Sequence, residues 1–200
     1  MAIKFQYNKT SLQQLDKQLN VRVRALPTIK NKESALRVEV KKAKDEMKRL
    51  DLKLKEKIRQ YEYMVILWGE FDVSLISIED AKLSVKKIAG TKTPVLDGID
   101  YYTKKFSIFS KPKWFLDGIA LVKEIASIAI EKEVFSKKMQ LLDRARKKTT
   151  QKVNLFEKVQ IPGFEDAIRK IKRFLEDEEN LSKSAQKIVK NRQQQTELVQ

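Results

Sequence analysis

Four consecutive carboxylates, Glu176-Asp177-Glu178-Glu179, form the densest cluster of potential metal ligands in this 200-residue chain. On a helix Glu176 and Glu179 share a face, which would offer oxygen ligands to a divalent cation. Lys172, Arg173 and Lys183 flank the run, however. Acids set among bases on a helix read as a solvated face laced by ion pairs, so no metal is assigned there. The chain has no His, which removes the usual general base and the commonest metal ligand. It has no Cys, which excludes disulfides and thiolate chemistry. Neither a Gly-x-x-x-x-Gly-Lys nor a Gly-x-Gly-x-x-Gly phosphate loop occurs. Without a nucleophile–base pair or a ligand cluster, the expectation is a protein with no catalytic centre and no cofactor.

Charge is the remaining chemical resource. Lys and Arg number 43 against 27 Asp and Glu, a net charge of +16. Such a surface attracts nucleic acid, anionic lipid or an acidic protein. Residues 40–59, VKKAKDEMKRLDLKLKEKIR, carry their bases mostly off the apolar positions and interleaved with Asp45, Glu46, Asp51 and Glu56. That is the exterior of a coiled coil; the alternative is a stand-alone basic coiled-coil protein that binds nucleic acid. The dense basic arm that precedes a zipper in bZIP proteins is missing. A tighter patch lies in DRARKKTTQK, residues 143–152, where Arg144, Arg146, Lys147, Lys148 and Lys152 face only Asp143. It is the candidate surface for an acidic partner.

The elements that would position these groups are mainly helices. Hydrophobic residues make up 42% and charged residues 35%, with 5 Gly and 4 Pro, a long-helix composition. Leu12, Leu15, Leu19, Val23 and Leu26 begin a helical stripe. Leu36, Val40, Ala43, Met47, Leu50, Leu54, Ile58, Tyr61, Val65 and Trp68 continue it as a heptad seam with one stutter at Leu54–Ile58. A second stripe runs through Phe135, Met139, Leu142, Arg146, Thr149, Val153 and Phe156, then Ala167, Ile171, Phe174, Leu181, Ala185 and Ile188. Neither stripe is buried by its own helix, so each needs the other. Between them, GTKTPVLDGIDYY reads as turns, and VKKI and KFSIF as short flanking strands of a small hairpin. The fold class is therefore all-α: a long antiparallel two-helix coiled coil with a small middle region of short helices and a β-hairpin at one end. Residues 1–73 form the first helix, 74–113 the middle and 114–200 the second helix. Pattern alone places Leu36 near Ile171 and Tyr61 near Arg146.

One break interrupts the second stripe. Ile161-Pro162-Gly163 puts the two poorest helix formers side by side inside a helical pattern, so a kink is expected at or just before Pro162. Met1-Ala2-Ile3-Lys4 leads straight into polar sequence, so no signal peptide is expected. YMVILW and IASIAI fall far short of the ~20 apolar residues a membrane helix needs.

The block TTQKVNLFEKVQIPGFEDAIRKIKRFLEDEE, residues 149–179, resembles the C-terminal signature of the D subunit of the V-type and A-type rotary ATPases. Lys152, Val153, Asn154, Glu157, Ile161, Pro162, Ile168, Ile171 and Glu176 stand at the family's positions. Leu155-Phe156 replaces Ala-Leu, and Gly163 stands where a bulky basic residue is common. NKTSLQQLDKQL and LPTIKNKESAL are similar to the family's Leu-rich opening, carrying over to Lys30, Lys32 and Leu36. Pro27 departs from it and suggests that the first turns are bent or separate. The likeness is weakest over 75–115, and its wording is that of the bacterial branch. The resemblance implies a non-catalytic central rotor shaft. Its paired helices would stand inside the ring of A and B subunits. Its middle region would meet the F subunit and the socket protein (the C or d subunit) on the membrane rotor. It would carry torque between ATP chemistry and H⁺ or Na⁺ transport, as a peripheral component on the cytoplasmic side of the membrane.

Overall fold

The computed structural model describes residues 3–107 and 111–197. The first long element, α1, runs over Lys9–Gln60. Asn8 starts it: its Oδ1 accepts the Ser11 backbone N–H at 2.6 Å, satisfying one of the orphan donors of the first turn. Pro27 lies inside this continuous helix, so the expectation of a separate first piece is corrected. Pro27 sits on the exposed face. Inward-facing residues on either side of it hold the helical path despite the missing N–H.

The inward line of α1 is more regular than its apolar residues suggest. Leu19, Arg22, Leu26, Ile29, Glu33 and Leu36 step 3-4-3-4-3, and Leu50, Leu54, Lys57 and Tyr61 step 4-3-4; all are buried or half-buried. The stutter expected at Leu54–Ile58 is therefore absent. Ile58 is 54% exposed and Val23 46%, while Lys57 and Arg22 take the inward positions. A helix cannot turn an extra 100° to bury one isoleucine, whereas long basic side chains can lay their aliphatic stems on the seam.

The chain divides into two compact units, one joining the segment up to Asn31 with that from Thr149 onward, the other spanning Lys32–Lys148. In the first, the opening turns of α1 run antiparallel to α4, Ile161–Glu197. Leu15, Phe164, Ala167, Ile168 and Ile171 form its core, edged by Ile3, Phe5, Leu12, Leu19 and Leu175. In the second, the rest of α1 runs antiparallel to the start of α3, Trp114–Leu155. Lys57 pairs with Glu124 at 3.0 Å, and Lys132 donates to Asp51. An aromatic corner closes this unit. Trp68, Phe71, Trp114 and Phe115 meet with ring centroids 4.8–5.9 Å apart, and Leu75 and Ile119 complete the cluster. Gly118 makes this possible, because a Cβ there would lie 3.2 Å from both the Phe71 and Trp114 rings.

The corner sets the register, and the register differs from the one expected. Lys57 faces Glu124, about seven helical turns from where pairing Tyr61 with Arg146 would put its partner. A seam that repeats every seven residues looks alike when slid by whole heptads, so the apolar pattern does not choose among them. The point of chain reversal does.

Between the helices lie a short helix α2, Val65–Trp68, two single 3₁₀ turns and a β-hairpin. Strands β1, Ile76–Ile88, and β2, Thr91–Thr103, pair antiparallel. The expected hairpin is present and VKKI closes β1 as expected, but the second strand lies elsewhere: GTKTPVLDGIDYY is β2 with the turn glycine, not a set of turns. Pro94 is tolerated because a two-stranded sheet leaves each strand a free edge. Asp97 is the extra residue of a bulge, since Lys82 pairs with Gly98 and Leu83 with Leu96. KFSIF forms no strand over 105–107, and its last two residues lie outside the described ones. Tyr101 Oη donates toward the Lys123 carbonyl at 3.1 Å and lies 2.8 Å from Ser127 Oγ, which ties β2 to α3.

The hairpin turn is Ala89-Gly90, with φ of 47° and 79°. Positive φ at both positions is the I′ geometry that matches strand twist, and it strains alanine. Replacing Ala89 with Asn or Gly is expected to stabilise the chain by about 1 kcal/mol in urea unfolding. Gly90→Ala should destabilise it, because the new Cβ adds strain and lies 3.3 Å from Lys32 Nζ.

Candidate functional site

Pro162 does not end the helix. The five residues Phe156–Gln160 form a π-helical turn between α3 and α4, and the Ile161 N–H donates to the Phe156 carbonyl five residues back. The widened turn falls where the proline ring would otherwise press on the carbonyl of Lys158. Two side chains of α1 grip it. Lys30 Nζ donates to Glu157 Oε1 at 2.7 Å, and Arg22 Nε donates to Gln160 Oε1 at 2.8 Å. The Arg22 guanidinium also lies 4.4 Å from the centroid of the Phe164 ring. Packing of a cation on a ring face adds to the hydrogen bond it makes beyond the ring.

The signature residues divide by role around this turn. Val153, Ile168 and Ile171 are buried, and Ile161 is half-buried. Lys152, Asn154, Glu157 and Pro162 are exposed. Lys152 Nζ sits 5.7 Å from the Phe156 ring centroid. Gly163 is half-buried, and a Cβ there would meet the tip of Ile3 at 3.2 Å, a contact a flexible side chain can relieve.

The basic patch is partly neutralised from within. Asp143 accepts from Arg146 at 2.8 Å and from Lys147 at 3.0 Å, and these hydrogen bonds hold its carboxyl below the usual range. Arg144 and Lys148 are exposed on the same stretch of α3. Along residues 40–59, Lys42 pairs with Glu39, Arg49 with Glu46 and Lys55 with Asp51, so this face is laced by ion pairs one helical turn apart. The acidic run behaves likewise where it is paired: Glu179 holds Lys183 at 2.7 Å, which lowers its pKa. No group of three acidic residues is placed to hold a metal among the described residues.

Apolar-pattern reading missed Arg22, Gln160, Lys57, Glu124, Asp51 and Lys132, the polar clamps between paired helices. The available signal was their regular heptad position: Arg22 and Lys57 fall on the 3-4 line even though they are charged.

The sequence matches the family of the ATP synthase D subunit over residues 11–191. It is 31% identical over 194 residues to the V-type ATP synthase D subunit of Borreliella burgdorferi, covering 94% of each chain. It is 26% identical over 200 residues to the protein of the same name in Chlamydia muridarum, covering 98% of each. With that of Chlamydia caviae it shares 29% over 182 residues, 85% of this chain and 84% of the other.

The clamp at Asp51 has a pH signature. Hydrogen bonds from Lys132, then Lys55, lower its pKa from 3.8 to about 2. A depressed carboxyl contributes stability that is complete above the unfolded value and lost as pH falls through the folded one. The urea midpoint of Asp51→Asn should therefore lie below that of the parent above about pH 4, the gap closing toward pH 2. A gap that stays constant from pH 6 to pH 2 would rule out the clamp.

Proposed function

This chain belongs to the family of the ATP synthase D subunit, and from that premise we propose that it is the central shaft of a V-type rotary ATPase. As the D subunit it is a non-catalytic part of the rotary complex. In the proposed role, its paired helices stand within the ring of A and B subunits. Its middle region meets the F subunit and the socket protein, the C or d subunit, of the membrane rotor. It carries torque between ATP hydrolysis or synthesis and the transport of H⁺ or Na⁺, as a peripheral component on the cytoplasmic side of the membrane. The observation that carries this reading is the family match, which spans residues 11–191 and so includes both long helices and the hairpin. No helix among the described residues is long and apolar enough to cross a membrane, which fits a peripheral component.

The π turn supplies an asymmetry such a shaft can use. A straight shaft of threefold symmetry inside a threefold ring would touch each catalytic interface alike. A helix disturbed at one level presents different faces, and we read Pro162-Gly163 with the turn before it as part of a cam that kinks the shaft. The basic surface suits an acidic sleeve. Exposed ion pairs are worth ~0–1 kcal/mol each, so they can be remade at every step, and raised salt should weaken them.

Two experiments test this. Purification of the tagged chain from detergent-solubilised membranes should recover A, B and F subunits with ATPase activity; recovery of nucleic acid or nothing, without ATPase, would refute the shaft role. The double substitution Pro162→Ala with Gly163→Ala should stabilise the isolated chain by about 1 kcal/mol or more. In the assembled complex it should loosen the coupling of ATP hydrolysis to ion transport. Unchanged coupling would dispose of the cam.

A further inference from the structure

Where β2 bulges at Asp97, a space opens between it and α3. Tyr101 ties the strand to Lys123 and Ser127 of α3. Beyond this anchor lies a cleft of about 460 Å³. Val95, Leu96 and Ile99 of β2 and Val134 and Phe135 of α3 give it apolar walls. Gly98 also lines it, and a Cβ there would meet nothing within 4 Å, so the space is left unfilled at that position. Sites that take small molecules have this size, ~300–1,000 Å³, and this largely apolar lining.

Charge decides which molecule fits. Ser127, Glu131, Val134 and Lys138 step 4-3-4 along one face of α3 and all line the cleft. Glu131 and Lys138 therefore border the apolar wall about 10 Å apart along the helix axis. Glu131 is half-buried, and among the described residues it holds no hydrogen bond and no ion pair. The nearby bases are engaged elsewhere: Lys132 donates to Asp51, and Lys138 Nζ lies 5.2 Å from the centroid of the Phe135 ring. Asp97, the other carboxylate of the cleft, accepts from Ser84 Oγ at 3.0 Å. Two carboxylates and one ammonium give the lining a charge of −1 on a chain of +16. The cleft thus opposes the sign of the surrounding surface and selects a cation. A carboxylate set without a partner in an apolar wall gains more from an ammonium than from any neutral donor.

We propose that this cleft is a binding site for a small amphipathic amine, whose apolar body lies between β2 and α3 and whose ammonium donates to Glu131. The walls supply affinity through buried apolar area, and Glu131 supplies orientation and the choice of charge. A bound molecule joins the hairpin to α3 beyond the Tyr101 anchor. The site lies wholly within the unit Lys32–Lys148 and is complete in one copy of the chain, as a single shaft requires.

Three soluble probes of one shape separate charge from apolar contact: 4-phenylbutylamine, protonated at neutral pH, 4-phenylbutanol, and 4-phenylbutyrate. Titrated into the full-length chain with isotope-labelled methyl groups, the amine should move the NMR signals of Val95, Leu96, Ile99 and Val134 saturably. A fragment of this size should bind with a dissociation constant on the order of 1 mM. The alcohol should bind about tenfold more weakly. Glu131→Gln should erase that preference and leave the alcohol's affinity unchanged. Val134→Trp should block both while helicity by circular dichroism is kept. No saturable shift up to ~10 mM amine, equal affinity for amine and alcohol, tighter binding of 4-phenylbutyrate in the cleft, or a preference that survives Glu131→Gln would each overturn the proposal. So would cleft signals that move only with the chain's own concentration, which would give the cleft to a second copy, or only on adding purified F subunit, which would give it to a protein partner.

Discussion

A helix of 52 residues with one apolar line has no means of burying that line by itself, and every other feature of the molecule answers to this constraint. Leu36, Leu50, Leu142 and Ile171 are fully buried because a second helix lies alongside. Burying a side chain of this kind stabilises by roughly 1.5–3 kcal/mol, several times what an exposed ion pair contributes. The apolar line therefore holds the helices together, and the charges at its margins choose how they align.

That division of labour explains the charged residues on the line itself. Arg22 and Lys57 point inward where Val23 and Ile58 would have been more hydrophobic. Each meets a partner on the opposing helix of its own unit, Gln160 for Arg22 and Glu124 for Lys57. An unbroken apolar seam would slide by a heptad at small cost. A polar residue that finds its acceptor in one alignment resists the slip, as polar seam residues do in other coiled coils.

The same logic gives the π turn its place. Pro162 disrupts the backbone of the second helix, and the turn before it absorbs the disruption without unfolding. Lys30 and Arg22 then fix the widened backbone from across the seam. The turn is a local irregularity held by side chains, at the level where the family signature lies.

How much of this was legible in the sequence depended on range. The two helices, the hairpin and the lack of catalytic machinery follow from local pattern and composition, because periodicity, Gly and Pro act through near neighbours. The Val-Asn to Ile-Pro block carried the family because its residue types are specific at fixed spacing. Three things were decided only in tertiary structure. The seam follows continuous helix geometry, so it admitted Lys57 and rejected Ile58. The heptad alignment was set by the aromatic corner at Trp68, Phe71, Trp114 and Phe115, whose members are distant in sequence. Pro94 and Gly98, local turn signals, became strand residues because pairing with β1 and a bulge at Asp97 absorbed them. In each case a contact between residues far apart in the chain outweighed the preference of the residues themselves.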